Sequence, residues 1–351
     1  MAGIGLSFAS ALLFGASTPA SKVLLAAIAP QQLAGLLYLG AALGTGGWLL
    51  AQRPSASARR LDPANRVRLA GAVGLGGIAA PVLLLHGLRL APAGSVSLLL
   101  NLEIAATAAL GALWFHEPLG ARSGLAVAGI AAGGACVSWG AGWPGVAAAG
   151  FVAAACLCWG ADNQLTARID GITPARAAFW KGAIAGSTNL ALALATGPWR
   201  APFSSAAAAL AVGALSYGAS VALYIAAAQQ LGATRAQAVF ASAPFLGAAL
   251  AFALLGEPLG RAQLAGAVLL AISVAALLRA RHEHAHVHEA HEHVHAHRHD
   301  DGHHLHEHAG QSPSTLHTHW HRHEPLVHAH PHWPDLHHRH HHRRDGAREM
   351  G

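Results

Sequence analysis

The sequence predicts an all-α membrane protein: ten transmembrane helices as two inverted five-helix repeats, followed by a disordered His-rich tail. Three observations carry this expectation. The chain is 53% hydrophobic and only 11% charged, where soluble domains carry about 25% charged residues. The stretch 230–260 restates an earlier one: Glu257-Pro258-Leu259-Gly260 repeats Glu117-Pro118-Leu119-Gly120 at an offset of 140, and Ala248-Ala249-Leu250 repeats Ala108-Ala109-Leu110 in the same register. Near residue 280 the composition changes from Ala, Leu, Gly and Val to His, Arg and Glu. Self-similarity at fixed spacing marks two copies of one unit, so the chain divides into residues 1–140, 141–280 and a tail at 281–351.

A helix of about 20 apolar residues crosses the bilayer core. Ten such stretches occur, at roughly 4–25, 31–51, 67–89, 93–114, 120–139, 146–166, 174–196, 205–228, 233–254 and 261–279. Arg and Lys concentrate in alternate connections. Arg53, Arg59, Arg60, Arg66 and Arg68 lie in the second, Arg122 in the fourth, Arg168 and Arg176 in the sixth, Arg235 in the eighth, and Arg279 and Arg281 at the end of the tenth span. The opposing connections hold Arg89, Arg200 and Arg261, with Lys22 at the edge of the first span. Positive charge stays inside, which places both termini in the cytoplasm and the chain in the cell (inner or plasma) membrane. Five spans per copy is odd, so the two copies insert in opposite senses, as in carriers whose site lies between inverted halves. Phe14-Gly15-Ala16 against Trp159-Gly160-Ala161, at an offset of 145, supports the same pairing. Trp48, Trp114, Trp139, Trp143 and Trp199 fall near span ends, where indole prefers the interface.

The net charge of +6 is accounted for by basic loops and tail, and nucleic acid is not an expected partner. Cys156 and Cys158 lie two apart on one predicted helix and point from different faces, so neither they nor Cys136 form a bridge or metal clamp. The N-terminal apolar run has no basic stretch before it and continues past Ser17-Thr18-Pro19-Ala20, so it is expected as a retained first span rather than a signal peptide.

Two five-helix copies, each with an apolar fourth helix running into a Glu-Pro-Leu turn, resemble the EamA-type branch of the drug/metabolite transporter superfamily. Phe14-Gly15-Ala16-Ser17-Thr18-Pro19-Ala20-Ser21-Lys22 is similar to that family's opening helix, with an aromatic-Gly start and a Lys eight residues on. The resemblance covers about residues 4–279. It implies a secondary-active ten-helix carrier, usually an exporter of an amino acid or other small metabolite, that is not an enzyme and needs no cofactor for transport. The tail has no counterpart in that pattern.

Ionisable groups at bilayer depth are costly and as a rule face a cavity. Glu103 sits near the middle of the fourth span beside Asn101, in the otherwise uncharged LLLNLEIAATAAL. It is the leading candidate for a substrate-amine partner or a proton-coupling carboxylate, against a structural carboxyl bonded to another helix. The second copy carries Ala241 and Ala243 at the matching places. Lys22 either holds an anionic group or snorkels along its stem; Lys181, close to Arg176, is expected to snorkel. Asp162, Asn163 and Gln164 are expected to line a polar vestibule, and His86 and Arg89 to form an interfacial pair. Glu117 and Glu257 sit in turns with Pro and are expected to be structural, serving the start of a helix. No nucleotide-binding loop occurs, so ATP hydrolysis is not expected.

Of 27 histidines, all but His86 and His116 follow Arg281. The alternation His282, His284, His286, His288, His291, His293, His295, His297 and His299 offers neutral imidazoles suited to Zn²⁺, Ni²⁺, Co²⁺ or Cu²⁺. Such a composition builds no packed core. Two functions follow: a carrier of a small organic solute with a metal-binding tail, or a divalent-metal (Ni, Co or Zn) carrier or membrane-tethered metal buffer. The spans contain no His-x-x-x-His or Asp-x-x-x-Asp pattern, which weighs for the first. The expected partners are solute, bilayer and divalent metal at the tail.

Overall fold

The computed structural model describes residues 2–51, 62–115, 120–140, 142–169 and 172–279, and in the tail 283–288, 291–297, 317–323 and 326–331. Lipid offers the backbone no hydrogen-bond partner, so a spanning segment satisfies its own amides as a helix. The helices are α1 (Ala2–Gly15), α2 (Ser17–Leu24), α3 (Pro30–Ala51), α4 (Pro63–Ala72), α5 (Ala80–Leu90), α6 (Ala93–Leu99), α7 (Leu102–Phe115) and α8 (Ala121–Trp139). The second half continues with α9 (Gly142–Thr166), α10 (Pro174–Thr196), α11 (Phe203–Gly213), α12 (Ser220–Leu231), α13 (Ala233–Phe240), α14 (Ala243–Leu255) and α15 (Arg261–Arg279). Short π-helical segments, Val73–Ala79 and Ala214–Ala219, join α4 to α5 and α11 to α12. These pieces make ten spans. Among the described residues nine are long and apolar enough to cross a membrane; α10 is 23 residues long but carries Arg176, Lys181 and Asn189.

The irregularities repeat with the sequence. The two π segments begin 141 residues apart, and the fourth and ninth spans break at Leu100–Asn101 and Ala241–Ser242, again 141 apart. The local causes differ. Asn101 Nδ2 donates to the Leu98 carbonyl at 2.8 Å and competes with the helix ladder. In the ninth span Pro244, in the first turn of α14, has no N–H to donate.

The two halves interlock. The first span packs on the eighth and ninth (α1 against α12, α13 and α14), and its counterpart, the sixth, packs on the third and fourth (α9 against α5 and α7). Each half therefore houses the opening helix of the other. The equivalent spans two and seven (α3 and α10), and five and ten (α8 and α15), pack on each other, as two-fold pseudo-symmetry requires. Ser7 Oγ donates to the Ala236 carbonyl at 2.8 Å and Ser10 Oγ to the Ser220 carbonyl at 2.7 Å, tying α1 into the second half. Trp114, Trp139, Trp143 and Trp199 are exposed near helix ends, as expected of an interfacial belt.

Of the tail, expected to be disordered, the described stretches are β1 (Glu283–His288), β2 (His291–His297), β3 (His317–His323) and β4 (Leu326–Pro331). They pair antiparallel as β1 with β4 and β2 with β3. The period of the His-x-His alternation is that of a strand, and two-stranded ladders of this size are marginal in water. The register sets His284 against His330, His286 against His328, and His291, His293, His295 and His297 against His323, His321, His319 and His317. His282 and His299 lie outside the described residues, as do His116 and Glu117.

The α3–α10 crossing tests the packing. A Cβ on Gly186 would lie 2.6 Å from the Leu39 nitrogen, and one on Gly35 would lie 2.9 Å from the Leu190 nitrogen, so backbone meets backbone. Gly186→Leu is expected to destabilise the bundle by about 1–3 kcal/mol or more, read as a lowered melting temperature in detergent. An unchanged melting temperature would contradict this packing.

Candidate substrate and coupling site

A π-helical turn widens the helix and leaves carbonyls without their regular donors. In the third span this falls at Gly76 and Gly77. The Gly76 carbonyl accepts from Tyr38 Oη at 2.6 Å and from Trp159 Nε1 at 2.9 Å. The Gly77 carbonyl accepts from Asn189 Nδ2 at 3.2 Å, and Asn189 Oδ1 accepts from Gln31 Nε2 at 2.8 Å. Side chains from α3, α9 and α10 thus converge on one turn. Gly76 admits no side chain, because a Cβ there would fall on the Asp162 carboxylate.

Asp162 is 4% exposed at its side chain and pairs with Lys181, Nζ to Oδ2 at 2.5 Å; its other oxygen accepts from Thr166 Oγ1 at 3.0 Å. Lys181 therefore reaches inward instead of snorkelling. α10 is flanked by α3 and the π segment, and the acid on α9 lies across that junction. Asp162 is correspondingly part of the interior.

Glu103, at the start of α7, is partly exposed, and its Oε1 accepts from Asn163 Nδ2 at 2.9 Å. Asn163 Nδ2 also reaches Thr107 Oγ1 at 3.2 Å, and Gln164 Nε2 donates to the Thr107 carbonyl at 3.2 Å. Among the described residues no Lys, Arg or His nitrogen lies within ion-pair distance of Glu103. Asp162 has its lysine; Glu103 is an acid held by neutral donors. The α7–α9 crossing is close because Gly160 lies against Ala106 and Thr107. Its counterpart sets Gly15 against Ala243 and Gly247, where the repeat puts Ala243 for Glu103 and Gly247 for Thr107. The polar cluster belongs to one side of the pseudo-symmetric pair.

A chain of rings adjoins it. Phe14 meets Tyr217 at 5.6 Å and Phe240 at 5.3 Å; Tyr217 meets Tyr38 at 6.1 Å; Phe240 meets Tyr224 at 5.3 Å. Tyr38 joins these rings, drawn from both halves, to the Gly76 turn.

Of the other candidates, Asn101 is fully buried at the break of the fourth span. Lys22 Nζ donates to the carbonyls of Leu88 and Ala91 at 2.7 and 2.9 Å, closing the C-terminal end of α5. Across the next turn the Glu257 carboxylate accepts from the Ala93 and Gly94 amides, 2.7 Å each, at the start of α6. A cation at a helix C-terminus and an anion at an N-terminus both suit the dipole. Glu257 thus caps a helix of the other half rather than the helix following its own turn. His86 stacks on Phe151 at 5.8 Å. Tyr38, Trp159 and Asn189 carried no charge or motif to flag them, although Trp159 was visible as the counterpart of Phe14.

The model of the EamA-like transporter family matches residues 1–139 and again 146–279. A solved structure described as a crystal structure of a protein matches with a TM-score of 0.55 and 17% identity, covering 78% of this chain and 94% of that chain. No curated protein matches the sequence.

Breaking a buried pair leaves an uncompensated charge, which costs about 3–5 kcal/mol, whereas replacing both partners is far milder. Lys181→Met is expected to lower the melting temperature strongly and Lys181→Met with Asp162→Asn to recover most of the loss. If the double variant melts no higher than the single one, the pair does not hold this junction.

Proposed function

Because the chain belongs to the EamA-like transporter family, we propose that it is a secondary-active carrier exporting a small organic metabolite, with Glu103 as its solute- or proton-binding acid. The observation that carries this reading is the Glu103–Asn163–Thr107 cluster: partly exposed, present in one half only, and without a counter-cation among the described residues. An acid in that setting can take a proton or a solute ammonium. The rings of Phe14, Tyr38, Tyr217, Tyr224 and Phe240, each partly exposed, offer an apolar wall for the rest of a solute. Asn163 would orient the carboxylate, and the Asp162–Lys181 pair would fix the turn behind it. The Arg distribution supports cytoplasmic termini in the cell membrane.

Proton coupling through Glu103 makes a direct prediction. In proteoliposomes the wild-type flux should change with pH, and Glu103→Gln, which removes the titrating group, should flatten that dependence. A variant whose flux keeps the wild-type pH profile would exclude Glu103 as the coupling acid.

The tail supports a second activity. Its density of imidazole, with His set opposite His at six register positions, suits chelation of Zn²⁺, Ni²⁺, Co²⁺ or Cu²⁺. Among the described residues no group of three His, Cys, Asp or Glu converges as a metal set, so metal as cargo draws no support from the spans. Deletion of residues 282–351 is expected to abolish metal retention by the purified protein and leave solute flux intact. Loss of both would favour the metal-carrier reading.

A further inference from the structure

Among the described residues two buried side-chain atoms have no hydrogen-bond partner: Ser97 Oγ and Asn101 Oδ1. Ser97 is 1% exposed and Asn101 fully buried. Both lie in the fourth span, one helical turn apart, Ser97 just before its break and Asn101 within it. The Asn101 amide nitrogen is committed to the Leu98 carbonyl, which leaves its oxygen as an acceptor with nothing to accept. A buried oxygen stripped of water and left without a donor is unfavourable. Two in the same span point to something that satisfies them.

A third oxygen lies against the same glycine as Ser97. A Cβ on Gly247 would lie 2.7 Å from the Gly15 carbonyl oxygen and 2.9 Å from Ser97 Oγ, so both oxygens border the same bare glycine. The regular donor to the Gly15 carbonyl would be the amide of residue 19, which is Pro19 and has no N–H. The first span breaks here, between α1 and α2. Gly15, Asn101 and Gly247 fall near the middle of their spans, Ala2–Leu24, Ala93–Trp114 and Arg235–Leu255. Broken helices that present carbonyls at the midplane are where carriers bind coupling cations.

We propose that Ser97 Oγ, Asn101 Oδ1 and the Gly15 carbonyl are ligands of a sodium site where the breaks of the first and fourth spans meet α14. All three oxygens are neutral. A divalent cation draws on carboxylates for its affinity, and none belongs to this set; a monovalent hard cation is satisfied by hydroxyl, amide and carbonyl oxygens. Glu103, two residues beyond Asn101, supplies the nearest negative charge along the chain. The presence of the site does not depend on the solute, whereas a coupling role for the ion rests on the carrier reading above.

Binding is therefore tested without transport, on the purified full-length chain in detergent. Melting temperature is measured in sodium, potassium and choline chloride at equal ionic strength, and retained radioactive sodium is counted. The wild type should melt higher in sodium, with a saturable dose dependence. Ser97→Ala removes a hydroxyl that bonds nothing in the protein, so it should fold normally and bind sodium about tenfold more weakly. Asn101→Ala should lose the effect entirely. Identical melting in sodium and choline, or equal sodium retention by wild type and Ser97→Ala, overturns the site. Sodium binding without any solute flux would uphold the site and remove the carrier reading, and flux without sodium binding would do the reverse.

Discussion

The structure depends on one constraint: inside the membrane every backbone carbonyl released from a helix needs a donor from the protein itself. The third span releases two of them at Gly76 and Gly77, and three side chains from three helices are drawn in to meet them. Trp159 and Asn163 lie four residues apart on α9, so the helix that sends its indole to Gly76 also sends its amide to Glu103. The position of the acid is thus set by the demands of a helix defect on the neighbouring span.

The pseudo-symmetry explains the frame, and its violation explains why the polar cluster is one-sided. Both halves keep the π segment, the broken fourth helix and the glycine crossing. In the second π segment the demand is met within the helix, Ser220 Oγ donating to the Ser216 carbonyl, and among the described residues no tyrosine–tryptophan pair is recruited. A duplicated scaffold with one polar and one apolar copy gives the acid a single location near the middle of the bundle. At one end of that bundle, Lys22 and Glu257 close the two helix ends around the Leu90–Ala91–Pro92 turn, which fastens the second half to the first.

Much of this was legible in the sequence because repeats are local text. Apolar stretches of spanning length placed the ten spans, the EPLG offset and the Phe14/Trp159 pairing predicted which helices are equivalent, and an acid among apolar residues singled out Glu103 as a candidate. What was not legible was partnership across helices. Lys181 sits within two turns of Arg176 on α10 and looks like an interfacial cation; its acid is nineteen residues away on another helix. Lys22 has carbonyls as partners, and carbonyls leave no trace in a sequence. Glu257 was expected to be structural, but its helix lies more than 160 residues earlier.

The interlocking of the halves bears on how the protein is made. The first helix enters the membrane long before its final neighbours exist, since Ser10 finds its acceptor 210 residues later. At about 5–20 residues per second of synthesis, that is a wait of about 10–40 s, during which the hydroxyls of Ser7 and Ser10 face lipid or a temporary partner. The first half cannot mature as a finished unit while the second is being translated. Whatever shelters α1 in that interval, whether the insertion machinery or provisional contacts within the first five helices, must release it when the eighth and ninth spans arrive.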